Sequence, residues 1–274
     1  MMKLRMPKNY KKENKMPKTE KKALNKPKVA FFDFACCEGC QLQIANLGET
    51  LLDVLGVIDV VEFREVMSEK WDKDYDVAMI EGSITDHHAE ERLKKIRARS
   101  KVLIAYGSCA ALGGVNGMKN SFELNEIRKY VYGDKYEYFD SIPTKAVDQV
   151  VKVDYYVYGC PVYLPEVVEV LKCALRGIPY SVPDKPVCSE CKLNENGCLY
   201  EKGVVCLGPW TKAGCNSWCP NNGNICYGCR GLVKNPAKNA ARNIIEKYRI
   251  DEKLMLGKFD MYNKAKEVSN ESKK

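Results

Sequence analysis

Five short apolar runs punctuate residues 28–158, and longer stretches with helical spacing separate or follow them. Lys28–Phe34 (KVAFFDF), Ile58–Phe63, Asp76–Ile80 (DVAMI), Lys101–Tyr106 (KVLIAY) and Val153–Tyr158 are continuous and rich in branched or aromatic residues. That is the pattern of strands buried on both faces. After the first, Leu42, Ile44, Ala45, Leu47, Leu51, Leu52 and Leu55 predict one amphipathic helix. Residues 87–98, a polar stretch near 121–132 and residues 164–176 predict three more. Strands alternating with helices predict an α/β fold, a flavodoxin-like doubly wound parallel sheet.

Ligands of such sheets lie beyond the carboxyl ends of the strands. Several predicted strands run directly into chemically capable turns: Cys36-Cys37-Glu38-Gly39-Cys40, Glu81-Gly82-Ser83, Gly107-Ser108-Cys109 and Gly159-Cys160-Pro161. Cys37, Cys40, Cys109 and Cys160 are thereby expected at one sheet edge, with Glu81 delivered to the same place. One cysteine after a strand is commonly just a small buried hydrophobe. Several such loops on one edge are harder to obtain by chance. Glu81 reads equally well as a helix cap, and His87 and His88 read as surface residues at a helix start.

The apolar rhythm then stops. Cys188, Cys191, Cys198, Cys206, Cys215, Cys219, Cys226 and Cys229 are eight of the fourteen cysteines, within 42 residues. With little apolar periodicity, this segment is expected to be a small irregular domain that a hydrophobic core cannot hold. Something bound to sulfur must order it. Disulfides fit least, because no secretion signal is evident. The C-x-x-C pairs at 188–191 and 226–229 suit zinc. They also suit iron–sulfur clusters, and the Cys219-Pro220 step resembles ferredoxin wrapping. Four thiols at the sheet edge and eight here make three sets of four. Cys36 and Cys173 are left over, the latter expected in the core.

Charge divides the chain further. The net charge is +8, but residues 1–28 carry +9 and residues 232–274 carry +5, leaving −6 on 29–231. The expected organisation is a disordered basic arm at 1–27, the sheet domain at 28–182, a two-cluster iron–sulfur domain at 183–231, and a basic helical tail at 232–274. No recognised nucleic-acid fold accompanies the arm, so no nucleic-acid partner is expected. No run of 18 apolar residues occurs, so no membrane insertion is expected. The absence of an apolar leader or twin-arginine pair reads as cytoplasmic.

The turns quoted above, with Cys198-Leu-Tyr-Glu201, Cys206-Leu-Gly-Pro209 and Cys226-Tyr-Gly-Cys229, resemble the small subunit of [NiFe]-hydrogenases over about residues 28–231. Within that family, Cys40-Gln-Leu-Gln43, Lys152-Val-Asp-Tyr155 and Pro186-Val-Cys-x-x-Cys191 are most similar to the sulfhydrogenase delta group (NAD(P)-linked, bidirectional). The small subunits of F420-non-reducing hydrogenase, coupled to heterodisulfide reductase, come next. The resemblance implies three [4Fe–4S] clusters. Cys37, Cys40, Cys109 and Cys160 would hold the proximal one, Cys215, Cys219, Cys226 and Cys229 the medial, and Cys188, Cys191, Cys198 and Cys206 the distal. Exported relatives carry His at 188 and Pro at 219, and Cys at both favours three all-cysteine cubanes. Val162 departs from the second Pro of many relatives.

By the same resemblance the catalytic nickel lies in a large-subunit partner, and electrons leave to flavin- or iron–sulfur-containing subunits. Glu81 is implied near the large-subunit interface as a proton-path residue, and Pro209 and Trp210 between clusters. Two rivals remain at this point. One is the quinone-oxidoreductase 20 kDa-type subunit, which shares the fold but lacks the eight-cysteine extension. The other is a zinc-stapled interaction module.

Overall fold

The computed structural model describes residues 26–234 and 238–271. Nearly all of the basic arm expected at 1–27 lies outside them. Strands β1 (Lys28–Asp33), β2 (Asp59–Phe63), β3 (Tyr75–Glu81), β4 (Ser100–Tyr106) and β5 (Tyr155–Val157) form one sheet in the order β2-β1-β3-β4-β5. Every pairing is parallel. This is the flavodoxin-like order, so the predicted α/β class holds.

Both faces of the sheet are covered, which is why its strands read as unbroken apolar runs. Helices α1 (Gly39–Ala45) and α2 (Glu49–Val57) follow β1, and α3 (His87–Ala98) follows β3. Helices α4 (Ser108–Leu112) and α5 (Leu124–Tyr132) follow β4, and α6 (Leu164–Arg176) follows β5. Val29, Phe31, Val77, Met79, Ile104 and Tyr106 pack with Val167, Val170, Leu171 and Ala174 of α6, which recur at helical spacing. On the other face Ala30, Phe32, Ile80 and Leu103 meet Ala89, Leu93 and Ile96 of α3. Each large side chain so buried contributes about 1.5–3 kcal/mol. The Asp86 carboxylate caps α3 by accepting from the Ala89 N–H at 2.8 Å.

Two expectations need correction. The single helix expected over 42–55 is broken between α1 and α2. Gly48 sits at φ 62°, ψ −135°, outside the helical region and in territory that glycine alone enters cheaply. The leucine pattern hid the break, and Leu42, Leu52 and Leu55 are exposed rather than core. Cys173 is half-buried on α6, with its sulfur toward Glu169, and is not a core residue.

The cysteine-rich segment contributes short helices α7 (Val187–Leu193) and α8 (Trp218–Asn221), and the tail forms α9 (Lys238–Tyr248) and α10 (Glu252–Glu271). Contrary to expectation, the segment does have a small core. Val187, Tyr200, Leu207, Trp210 and Ile225 pack with Met255, and Ile244, Tyr248 and Phe259 close around them. A third of that core comes from the tail, so the segment's own sequence could not reveal it. Among the described residues no helix is long and apolar enough to cross a membrane.

Helix α10 then crosses to the sheet. The Ala265 methyl sits so close to Gly113 and Gly117 that a Cβ at the first would overlap it and one at the second would lie 3.2 Å away. Replacing Ala265 with leucine should cost about 1–3 kcal/mol through overpacking. The readout is the thermal midpoint of the purified protein, and an unchanged midpoint would contradict this docking.

Candidate metal centres

The turns after β1, β3, β4 and β5 meet at one edge, as expected, and backbone bonds continue past the strands. The N–H of Phe34 donates to the Glu81 carbonyl at 2.9 Å, and that of Ser108 to the Gly159 carbonyl at 2.8 Å. Cys40 is buried, whereas Cys37 and Cys160 are exposed. The four thiols are close enough to repel one another as anions. Burial first, then Cys160 and Cys37, pushes Cys109 up to about 12. Gly107 makes room for this gathering: at φ 87°, a Cβ there would lie 2.7 Å from the Cys40 sulfur. Of the doublet, Cys37 is the cysteine felt by both Cys109 and Cys160. Cys36 is pushed to about 12 by burial, then by Glu81.

Glu81 lies beneath this edge and is 2% exposed. Its two carboxylate oxygens accept the N–H groups of Cys40 at 3.1 Å and Gln41 at 2.9 Å. Burial raises its carboxyl above the ordinary value, opposed by those two bonds. The cap reading is therefore what the geometry displays, since Glu81 fixes the turn that presents Cys40. His87 is a surface residue, paired with Asp140 at 2.9 Å.

The eight remaining cysteines separate into two sets. Cys188, Cys191, Cys198 and Cys206 line one cavity of about 170 Å³, with Tyr200, Pro209 and Ile244 on its walls. Burial, then Cys206, Cys191 and Cys198, pushes Cys188 up to about 12. Cys229 feels Cys215 and Cys219, Cys219 feels Cys215, and Cys226 feels Cys229, while Cys219 and Cys226 also feel Cys206 of the Cys188 set. Pro209 thus belongs to the Cys188 cavity, while Trp210 shares a core with Cys206 and Cys226 and packs edge-on against Phe259.

The sets touch in a fixed order. The hydroxyl of Ser108, on the sheet-edge turn beside Cys109, donates to the Cys229 carbonyl at 2.5 Å. The N–H of Cys226 donates to the Cys206 sulfur at 3.2 Å. One bond joins the sheet-edge set to the Cys215–Cys229 set, and the other joins that set to the Cys188–Cys206 set.

These donor sets suit a polynuclear group better than a lone ion. Among the described residues no group of three or more Cys, His, Asp or Glu converges closely enough to hold one metal ion. Four thiols instead surround a largely apolar cavity, with the Cys226 N–H on the Cys206 sulfur, as suits an iron–sulfur cluster.

Two features escaped the sequence reading. Arg230, directly after the last cysteine, is wholly buried against Glu166 of α6. The tail also reaches the cysteine sets: Tyr248 stacks on Tyr200, Phe259 meets Trp210, and Tyr262 is close enough to feel the charge of Cys160. Nothing local in the sequence signalled either.

Residues 37–190 match the family described as NADH ubiquinone oxidoreductase, 20 Kd subunit, which is more than half of the chain. Over 206 residues the chain is 40% identical to sulfhydrogenase 2 subunit delta of Pyrococcus furiosus, covering 74% of this chain and 86% of that protein. It is 32% identical over 235 residues to one of the F420-non-reducing hydrogenase subunits of Methanocaldococcus jannaschii, covering 74% and 81%. Its fold is similar to that of a Dm. baculatum [NiFeSe]-hydrogenase chain in an H2-activated form, with TM-score 0.53 at 18% identity over 78% of this chain and 97% of that one. The family name is that of the quinone-oxidoreductase rival, but the match ends at residue 190, and the relatives aligned over a longer stretch are hydrogenase subunits. The chain therefore belongs to the NADH ubiquinone oxidoreductase 20 Kd subunit family, among its hydrogenase small subunits.

Proposed function

We propose that this chain is the electron relay of a cytoplasmic [NiFe]-hydrogenase, carrying three [4Fe–4S] clusters between a hydrogen-splitting large subunit and a flavin- or iron–sulfur-containing partner. The observation that carries the reading is the contact order of the thiol sets, from the Ser108–Cys109 turn to Cys229 and from Cys226 to Cys206. When bound, such clusters supply reversible one-electron storage. Cys37, Cys40, Cys109 and Cys160 would hold the first, Cys215, Cys219, Cys226 and Cys229 the second, and Cys188, Cys191, Cys198 and Cys206 the third.

The protein's own part is binding, tuning and exclusion of water. The Cys226 N–H on the Cys206 sulfur stabilises added negative charge there. Leu199, Tyr200, Ile244 and Tyr248 keep water from the Cys188–Cys206 cavity. Exposure of Cys37 and Cys160 supports an edge that the large subunit covers. Glu81, holding the Cys40 turn, sits where a proton-path residue would meet that edge. Identity of 40% to the sulfhydrogenase subunit, against 32% to the F420-non-reducing one, favours an NAD(P)- or polysulfide-type acceptor over heterodisulfide reductase.

Iron and acid-labile sulfide analysis of anaerobically purified protein tests the reading. About twelve iron atoms per chain are expected, four for each cubane. Zinc without labile sulfide would instead support the interaction-module alternative.

A further inference from the structure

Arg230 is the largest fully buried side chain of the described residues. Its Nη1 and Nη2 donate to the two carboxylate oxygens of Glu166 at 2.5 and 2.8 Å. Its Nε donates to the Ala213 carbonyl at 2.9 Å and the Lys212 carbonyl at 3.2 Å, and Nη1 also reaches the Tyr158 carbonyl at 2.7 Å. The guanidinium thus sits on the seam between β5, α6 and the cysteine-rich segment. Its nitrogens bond only oxygens, so any effect on the adjacent sulfurs acts through charge.

Carrying a guanidinium out of water is costly, and a neutral donor could have pinned the same carbonyls more cheaply. Position gives the charge a use. Arg230 follows Cys229 directly, and its guanidinium lies against Gly214, the residue before Cys215, where a Cβ would overlap it. Glu166 is anchored from the other side by the Tyr180 hydroxyl at 3.0 Å. With the arginine side chain 0% exposed, neither water nor salt screens it.

We propose that Arg230 is a fixed positive charge that raises the reduction potential of the group held by Cys215, Cys219, Cys226 and Cys229, with Glu166 as the counter-charge that holds it in place. The inference rests on the relay reading above. One electron arriving from a neighbouring set adds one negative charge to this four-thiolate group, with no bond made and no proton moved. The same electron then leaves to the set on the other side. The guanidinium stabilises the charged state and keeps the middle of the relay from becoming a barrier.

The test is a redox titration of the purified complex followed by electron paramagnetic resonance. Two variants are compared with the parent. Arg230→Met with Glu166→Gln removes both charges together and leaves no buried charge unpaired. Glu166→Gln alone leaves the arginine unopposed. The double variant should lower the middle midpoint by about 59 mV, a tenfold shift in its one-electron equilibrium. The single variant should raise it by a similar factor, and the other two midpoints should stay fixed.

A purely structural arginine would give no pair of shifts opposite in sign. Middle midpoints that are unmoved, or that move the same way in both variants, overturn the proposal. If the double variant fails to assemble, Glu166→Gln decides alone: a rise supports the proposal and no rise overturns it. Parent complex with full iron but no variant shift sinks only this inference, whereas parent complex without iron sinks the relay reading.

Discussion

Replacing Cys109 with serine should abolish hydrogen-dependent dye reduction by the assembled complex while leaving the sheet folded. Cys109 stands one residue into α4, on the turn that β4 delivers to the sheet edge. Its sulfur packs against Gly114, where a Cβ would lie 2.8 Å from it. Serine fits the same space but offers a poor ligand for iron, so one corner of the first set is lost. Loss of an outer-shell partner typically costs about 10–100-fold, and loss of a direct ligand should exceed that. The sheet core is built from Val77, Met79, Ile104 and their partners, none of which depends on that sulfur. Circular dichroism should therefore stay close to the parent while turnover disappears. Dye reduction at the parent rate would remove the sheet-edge set from the account.

The second large effect is on stability. Arg230→Met alone should destabilise the protein by about 3–5 kcal/mol, because it leaves the Glu166 carboxylate buried without its partner. The pair's side chains are 0% and 3% exposed, so water cannot take the arginine's place. The carbonyls of Lys212, Ala213 and Tyr158 would lose their donor as well. Since those carbonyls belong to both the cysteine-rich segment and the end of the sheet, the damage should concentrate at their seam. A fall in the thermal midpoint of the purified complex, largely rescued when Glu166→Gln is added, is the expected result. A single variant as stable as the parent would show the pair to be dispensable.

Much of this was legible in the amino-acid sequence. The strands declared themselves because sheets covered on both faces need unbroken apolar runs, and the helices at 87–98 and 164–176 kept their spacing. The cysteines that end strands were legible as a set, since a parallel sheet brings every such turn to one edge. Three things were not legible. Gly48 interrupts a leucine pattern that looks continuous, since periodicity records which residues are apolar and not where the backbone turns aside. The core beneath the cysteine-rich segment depends on Met255 and Phe259, far along the chain, and long-range packing leaves no local signature. The Arg230–Glu166 pair joins residues 64 positions apart, and neither looks unusual in its own neighbourhood.

The central claim is that three thiol sets hold three redox-active groups in a row. The most direct measurement is electron paramagnetic resonance of the anaerobically purified complex before and after reduction under hydrogen. The account predicts little signal from the oxidised sample, and signals from three interacting reduced [4Fe–4S] clusters after hydrogen is admitted. A colourless sample that stays silent under hydrogen and dithionite alike would contradict it.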